Sequence, residues 1–296
     1  MTASHLSEVA ASKLELPDRD RIQHIKKARW IGYGRAQELL EKLEDLLAHP
    51  IQARMPNMLI VGETNNGKTM LVSKFREKHP AQENPDGEAA TIPVLYIQAP
   101  PGPDERGFYN AILKRLFEAS PRSEPTDAKR DHVVDVLRRV NLGMIIVDEL
   151  HHLLAGAYVK QRNCLNVLKY LGNELCVPLV GIGTAEALRA VQTDPQLANR
   201  FTPEIVPKWA KNAELARLLA SFERVIPLRL PSQLASPTLA GRIVDIAGGT
   251  IGEMSTLLNS AAVHAIKTGQ ECITLGTLDA CGYVSPTLRK QVAAAL

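Results

Sequence analysis

The sequence predicts an α/β protein, with a parallel sheet sandwiched by helices and a small all-α module after it. Three observations carry this reading. Short, wholly apolar segments alternate with amphipathic helical ones through the first two thirds of the chain. Hydrophobic residues make up 45% of the chain but aromatics only 4%, so the core is built from Leu, Val, Ile and Ala, which suits helices and parallel strands better than a β-sandwich. From about Lys208 the strand-like segments stop and helical periodicity takes over.

In chain order, residues 1–29 are polar and mixed in charge and read as an extended N-terminal arm or adaptor. They end in the basic run His24–Arg29, which reads as a solvated face. Trp30-Ile31-Gly32-Tyr33 adds apolar bulk. Gly34 to Ala48 is an amphipathic helix, with Leu39, Leu40, Leu43, Leu46 and Leu47 on one face and Pro50 as its stop. Asn57 to Val61 is an apolar strand, followed at once by a glycine-rich turn and a helix from Gly67 to about Lys78. Residues 80–90 form a turn-rich loop. Ile92 to Gln98 is the second strand, and APPGPDE leads into a helix over Arg106–Ala119. After SPRSEPT come a helix over Asp127–Val140 and a third apolar strand, Met144–Asp148. A long helix over Val159–Leu175 precedes the fourth strand, Val177–Ile182. Residues 212–224, 237–247, 252–268 and 275–282 read as helices. The expected organisation is an arm (1–29), an α/β core (30–207), a helical module (208–283) and a tail (284–296).

The 296 residues suggest one large or two modest domains, and a charged fraction of 23% excludes global disorder. The net charge of +3 permits nucleic-acid binding without demanding it. Cys164, Cys176, Cys272 and Cys281 form no CxxC pair and read as reduced thiols of a cytosolic protein. The N-terminus has no signal pattern, and no apolar run of about 18 residues exists, so no membrane span is expected and the location is cytoplasmic.

The segment Gly62-Glu63-Thr64-Asn65-Asn66-Gly67-Lys68-Thr69 fits G-x-x-x-x-G-K-[ST] without a gap. Its glycines let the backbone turn tightly, and its N–H groups, with the following helix N-terminus, suit phosphates. Lys68 is then expected at the β- and γ-phosphates, and the Thr69 hydroxyl on Mg²⁺. Strand and helix flank the motif in the order it requires.

Met144-Ile145-Ile146-Val147-Asp148-Glu149 is an apolar strand ending in two carboxylates. In P-loop ATPases the first acid holds the Mg²⁺ shell and the second polarises the attacking water. Asp148-Glu149-Leu150-His151 also spells D-E-x-H, but only 90 residues follow Val206, too few for a second helicase domain. His151 and His152 have no further metal ligands at sensible spacing. His151 is left as a γ-phosphate sensor, a link to a next subunit or a structural residue. Thr184, after the fourth strand, can orient the attacking water, cap the next helix, or both. Arg200, about a helix later, can project onto a neighbour's γ-phosphate, where such a finger is worth roughly 10³–10⁵ in rate. An intramolecular salt bridge is its alternative.

Together these residues resemble the AAA+ ATPases of the initiator-like branch. GETNNGKT resembles Walker A, MIIVDE Walker B, GIGT sensor 1 and LANRF the arginine-finger box. WIGY, YIQAPPGP and DELHHLLAG further resemble the TniB family, ATP-dependent transposition proteins akin to TnsC and the B protein of phage Mu. The resemblance implies an AAA+ P-loop core with an all-α lid, ATP and Mg²⁺ as cofactors, and nucleotide contacts at Ile31, Met70 and residues 62–69. It implies a bacterial protein that assembles with ATP into a ring or helical filament on double-stranded DNA. That assembly recruits a TniA-like DDE transposase, a TniQ-like adaptor often chooses the site, and hydrolysis disassembles or repositions it. Arg106 and Lys114 are candidate DNA contacts, with a solvated helix face as the alternative. One departure stands out: Gly248 to Met254 carries no Arg or Lys where many AAA+ proteins have a sensor-2 arginine, which suits slow hydrolysis. A replication initiator or helicase loader shares all the ATPase motifs, but the stretch after the lid leaves no room for its DNA-binding domain. A small-molecule kinase lacks the LANRF-type box and the lid, and an intact Glu149 argues against a non-hydrolysing scaffold.

Overall fold

The computed structural model describes residues 4–295 except positions 86, 88, 122 and 155–157, so the first residues of the expected arm, the last of the tail and Ala155-Gly156 of DELHHLLAG lie outside the described residues. Helices α1 (Glu8–Ala11), α2 (Asp18–Lys26) and α3 (Gly34–Leu47) lead to β1 (Asn57–Gly62) and α4 (Lys68–Lys78). Next come β2 (Val94–Gln98), α5 (Glu105–Arg115), α6 (Thr126–Arg139) and β3 (Met144–Asp148). A 3-10 turn, Leu150–Leu154, joins β3 to α7 (Tyr158–Leu175), followed by β4 (Leu179–Gly183), α8 (Ala185–Gln192), α9 (Pro195–Ala198) and β5 (Phe201–Val206). The rest is helical: α10 (Ala213–Val225), α11 (Pro237–Ala247), α12 (Ile251–Lys267), α13 (Leu275–Ala280) and α14 (Pro286–Ala294).

The five strands form one parallel sheet in the order β2-β3-β4-β1-β5. Every residue of β3 and β4 is buried, which is what continuous apolar runs with helices on both faces require. The fifth strand was not expected. Thr202, Pro203 and Glu204 break its apolar run, and β5 lies at the sheet edge, where a proline without an N–H costs no ladder bond. All strands run the same way, so their C-terminal ends share one edge. Gln98 pairs with Asp148, Val61 with Gly183 and Gly62 with Val206. That edge collects the loops after β1, β3 and β4.

By their contacts the residues divide into two units, Glu38–Thr64 with Lys68–Val206, and Met1–Gln37 with Asn65–Gly67 and Pro207–Leu296. The first holds the sheet and a core that includes Leu59, Ile97, Tyr109, Val147 and Leu171. The second is helical, with a core that includes Ile25, Leu219, Ile243, Met254 and Leu258.

Residues 4–29 are not an extended arm. The fully buried Arg21 of α2 donates to Glu271 at 2.8 Å, to Asp18 at 3.0 Å and to the Pro227 carbonyl at 2.9 Å. Ile25 packs into the same core, and Arg29, expected in a solvated face, donates to the Val225 carbonyl at 2.8 Å. The polar composition hides one stripe that docks, and the guanidinium it brings inside is paired. Removing one partner of such a pair costs about 3–5 kcal/mol. The stretch 284–296 contains α14, capped by Ser285 with Pro286 in the first turn. The four cysteines are free, and among the described residues no helix is long and apolar enough to cross a membrane.

Candidate functional site

Between β1 and α4 the chain makes a tight turn with two left-handed residues, Asn65 (φ 61°) and Gly67 (φ 80°). Position 67 suits glycine twice over, because a Cβ there would also lie 3.1 Å from the Ile251 side chain. Lys68 opens α4, so it and Thr69 and Met70 carry first-turn N–H groups that have no partner within the helix. The buried Lys68 ammonium donates to the carbonyls of Gly62 and Glu63, each at 2.8 Å. Burial lowers its pKa, against the pull of Glu149, Asp148 and Glu63.

The two asparagines hold the turn. The Asn65 carbonyl accepts from the Gly252 N–H at 3.0 Å, and its side-chain amide donates to Glu253 at 3.0 Å. The buried Asn66 donates to the Pro207 carbonyl at 2.9 Å and accepts from the Ile251 N–H at 3.3 Å. The pattern G-x-x-x-x-G-K-[ST] accepts any residue type at these two positions. Their use depends on α12, almost 190 residues later, and no local signal could have found it.

At the end of β3, Asp148 is only 3% exposed. One carboxylate oxygen accepts from the Thr69 hydroxyl and from the Tyr96 hydroxyl, both at 2.8 Å, and the other accepts from the Glu149 N–H at 2.8 Å. Thr69 and Asp148, the expected Mg²⁺ ligands, therefore meet. Their 2.8 Å oxygen separation is close to the roughly 2.9 Å between adjacent ligands around an octahedral ion with bonds of about 2.0–2.1 Å, so the pair fits Mg²⁺. Tyr96 is a participant that the motifs did not reveal. It arrives from the neighbouring strand, and burial and then its bond to Asp148 push its pKa up.

Glu149 follows in a left-handed conformation (φ 54°) and is partly exposed, with a carboxylate oxygen 3.2 Å from His151 Nε2. The 3-10 turn brings Glu149, His151 and His152 together, with candidate ligand atoms all within 4.8 Å of one another. The two histidines, which have no metal ligand at sensible spacing further along the sequence, thus have a carboxylate beside them from Glu149, the residue just before the turn. Thr184 caps α8 by position only. Its side chain makes no cap bond, and its hydroxyl is buried without a hydrogen-bond partner among the described residues. It follows Gly183, one strand over from Asp148 and beside β1.

Other expected residues lie elsewhere. Arg200 precedes β5, its carbonyl accepting from the Asn57 N–H at 3.0 Å and its guanidinium donating to Asn173 at 2.7 Å. It sits at the N-terminal edge of the sheet, opposite the edge that carries Gly62. Ile31 is buried in the core of the helical unit, and Met70 is partly exposed on α4. Arg106 donates to the Glu124 carbonyl at 2.9 Å, while Lys114 is exposed on the same helix.

The family model described as bacterial TniB protein matches residues 21–211. No curated protein matches the chain. Solved structures share its fold. The ORC2 protein of Aeropyrum pernix, solved as ADPNP-ADP complexes, has a TM-score of 0.59 at 17% identity over 88% of this chain and 71% of that one. Cdc6p from Pyrobaculum aerophilum has a TM-score of 0.60 at 18% identity over 85% of this chain and 67% of that one. Drosophila ORC bound to DNA has a TM-score of 0.59 at 16% identity, over 98% and 70%. At these identities the likeness establishes the fold, an AAA+ sheet with a helical lid.

Proposed function

The chain belongs to the TniB family, and from that premise we propose that it is an ATP-dependent regulator of DNA transposition. It assembles on double-stranded target DNA with ATP as a ring or helical filament. The assembly recruits a DDE-type, TniA-like transposase with a TniQ-like adaptor, and slow hydrolysis limits its lifetime. The observation that carries the ATPase reading is the direct hydrogen bond between Thr69 of the phosphate loop and Asp148. The family carries the transposition reading. The structures of similar fold include the Aeropyrum pernix ORC1 protein in complex with DNA, which supports DNA as a partner.

In this reading the loop N–H groups and Lys68 bind the β- and γ-phosphates. Thr69 and Asp148 hold Mg²⁺, whose chemistry is to neutralise charge on the transferring phosphoryl group. Glu149 polarises the attacking water, and the Thr184 hydroxyl helps to orient it. Arg200 serves the site of a neighbouring copy. Lys114 is the better DNA candidate of the two expected, because the Arg106 guanidinium already bonds within its own chain.

Thr184 offers a clean separation of chemistry from folding. In Thr184→Val a buried hydroxyl without a partner is lost, so stability holds within about 1 kcal/mol or rises. Hydrolysis falls about tenfold or more if the hydroxyl orients water. Thermal melting and steady-state phosphate release read the two effects, and unchanged turnover removes Thr184 from the chemistry.

The wider function is tested by mixing the protein with duplex DNA under no nucleotide, ADP, ATP or a non-hydrolysable ATP analogue, followed by gel shift and negative-stain microscopy. Rings or filaments on DNA that require triphosphate support the proposal. No DNA association in any state sinks the transposition role and leaves the ATPase reading in place. Replication initiation or helicase loading is the second reading, favoured by the ORC and Cdc6 folds. Stimulation of a cognate transposase by the assembled protein decides between them.

A further inference from the structure

The start of α12 carries no cation, yet it is bonded to the phosphate loop through an acid. Glu253 accepts from the Asn65 side chain with one carboxylate oxygen and from Tyr283 and Arg289 with the other. We infer that Tyr283 and Arg289 are positioning residues for the phosphate loop, through which the C-terminal helix α14 sets the affinity for nucleotide. The inference rests on reading residues 62–69 as that loop.

The contact between loop and α12 is close. A Cβ on Gly252 would fall 2.0 Å from Asn65 Oδ1 and 2.7 Å from the Asn65 carbonyl oxygen, so only glycine lets the helix start against the turn. Asn65 is held in a left-handed conformation that an L-residue adopts reluctantly, and Glu253 supplies one of the bonds that hold it. Glu253 is 13% exposed, and its charge depends on its donors. Burial opposes its ionisation, and the hydrogen bonds from Tyr283, Asn65 and Arg289 outweigh that and bring its pKa below the ordinary value. Without Tyr283 and Arg289 the carboxylate gains by turning to water, and Asn65 loses its restraint. The N–H groups around Gly67 are then no longer pre-set for phosphate, and binding must include the cost of ordering them.

The clasp is also built to open. No residue of α14 is buried, and Arg289 is 51% exposed. The helix has little core packing to retain it, and Arg289 is its charged tie to the loop. Anything that draws α14 away weakens nucleotide binding without touching the loop itself.

The test uses full-length Arg289→Ala, Arg289→Glu and Arg289→Lys, with Lys290→Ala as a control on the same helix. Two readouts are taken: hydrogen exchange of the loop amides without nucleotide, and affinity for a fluorescent ATP analogue. The expected result is faster exchange at residues 64–68 and affinity lower by about three- to tenfold in the alanine variant. The glutamate variant loses more, the lysine variant recovers part, the control behaves as wild type, and melting temperatures stay together. Unchanged loop exchange in Arg289→Ala and Arg289→Glu overturns the clasp. So does faster exchange with full affinity. If the wild type binds no nucleotide, the phosphate-loop reading fails by that result, and exchange alone decides whether Arg289 holds the loop.

Discussion

Lys68→Ala lowers ATP affinity by about 10²-fold, the equivalent of roughly 2.7 kcal/mol, and leaves the protein folded. The size of the loss follows from where the ammonium lies. It is buried against the loop, within hydrogen-bond reach of two loop carbonyls, so a polyphosphate bound there would meet it in a site partly shielded from water. Charge-assisted contacts there are worth about 1.5–3 kcal/mol each. The fold does not share the loss. Burial disfavours the charged form of Lys68, so removing it relieves a desolvation penalty and leaves the Gly62 and Glu63 carbonyls to be met by water. Lys68→Arg does not rescue, because a planar fork cannot replace a compact ammonium in that space. Titration with a fluorescent ATP analogue, alongside thermal melting, checks both halves. Undiminished affinity in a folded Lys68→Ala protein removes residues 62–69 from nucleotide binding.

The parts of the site that were legible in the sequence are those that depend on neighbours in the chain. Gly62 to Thr69 lie within one turn, and Asp148-Glu149 end a strand whose apolar run is unbroken because both faces are covered. What escaped depends on pairing across distance. Tyr96 reaches Asp148 from the adjacent strand, so its role needs the strand order. Asn65 and Glu253 meet across 188 positions, and Glu253 lies in a stretch, Gly248 to Met254, that carries no Arg or Lys. β5 was lost to its edge position, where polar residues and Pro203 are tolerated. The helices of residues 4–29 were lost because Arg21 is polar by type but buried by partnership. Composition records residue type, and only the fold supplies the partner.

Arg200→Ala keeps nucleotide binding and loses hydrolysis by roughly 10³-fold, the low end of what an arginine finger supplies. The argument is one of position. β5 runs parallel to β1 from Phe201, opposite Asn57, to Val206, opposite Gly62. At about 3.3 Å per residue, Arg200 is then some 20 Å from the phosphate-loop edge of its own sheet. No rotamer of its side chain spans that distance, so any catalytic role is played on another copy's nucleotide. Complementation separates the cases. Glu149→Gln should bind ATP without hydrolysing it while still presenting Arg200. Arg200→Ala should have a complete site while presenting nothing. Mixed in equal amounts on DNA, about a quarter of random head-to-tail interfaces join an intact site to an intact arginine, and turnover returns in proportion. If Arg200 only ties β5 to Asn173 on α7, its loss costs about 0.5–1.5 kcal/mol of stability, hydrolysis survives in the single variant, and mixing gives no more than the average of the two proteins.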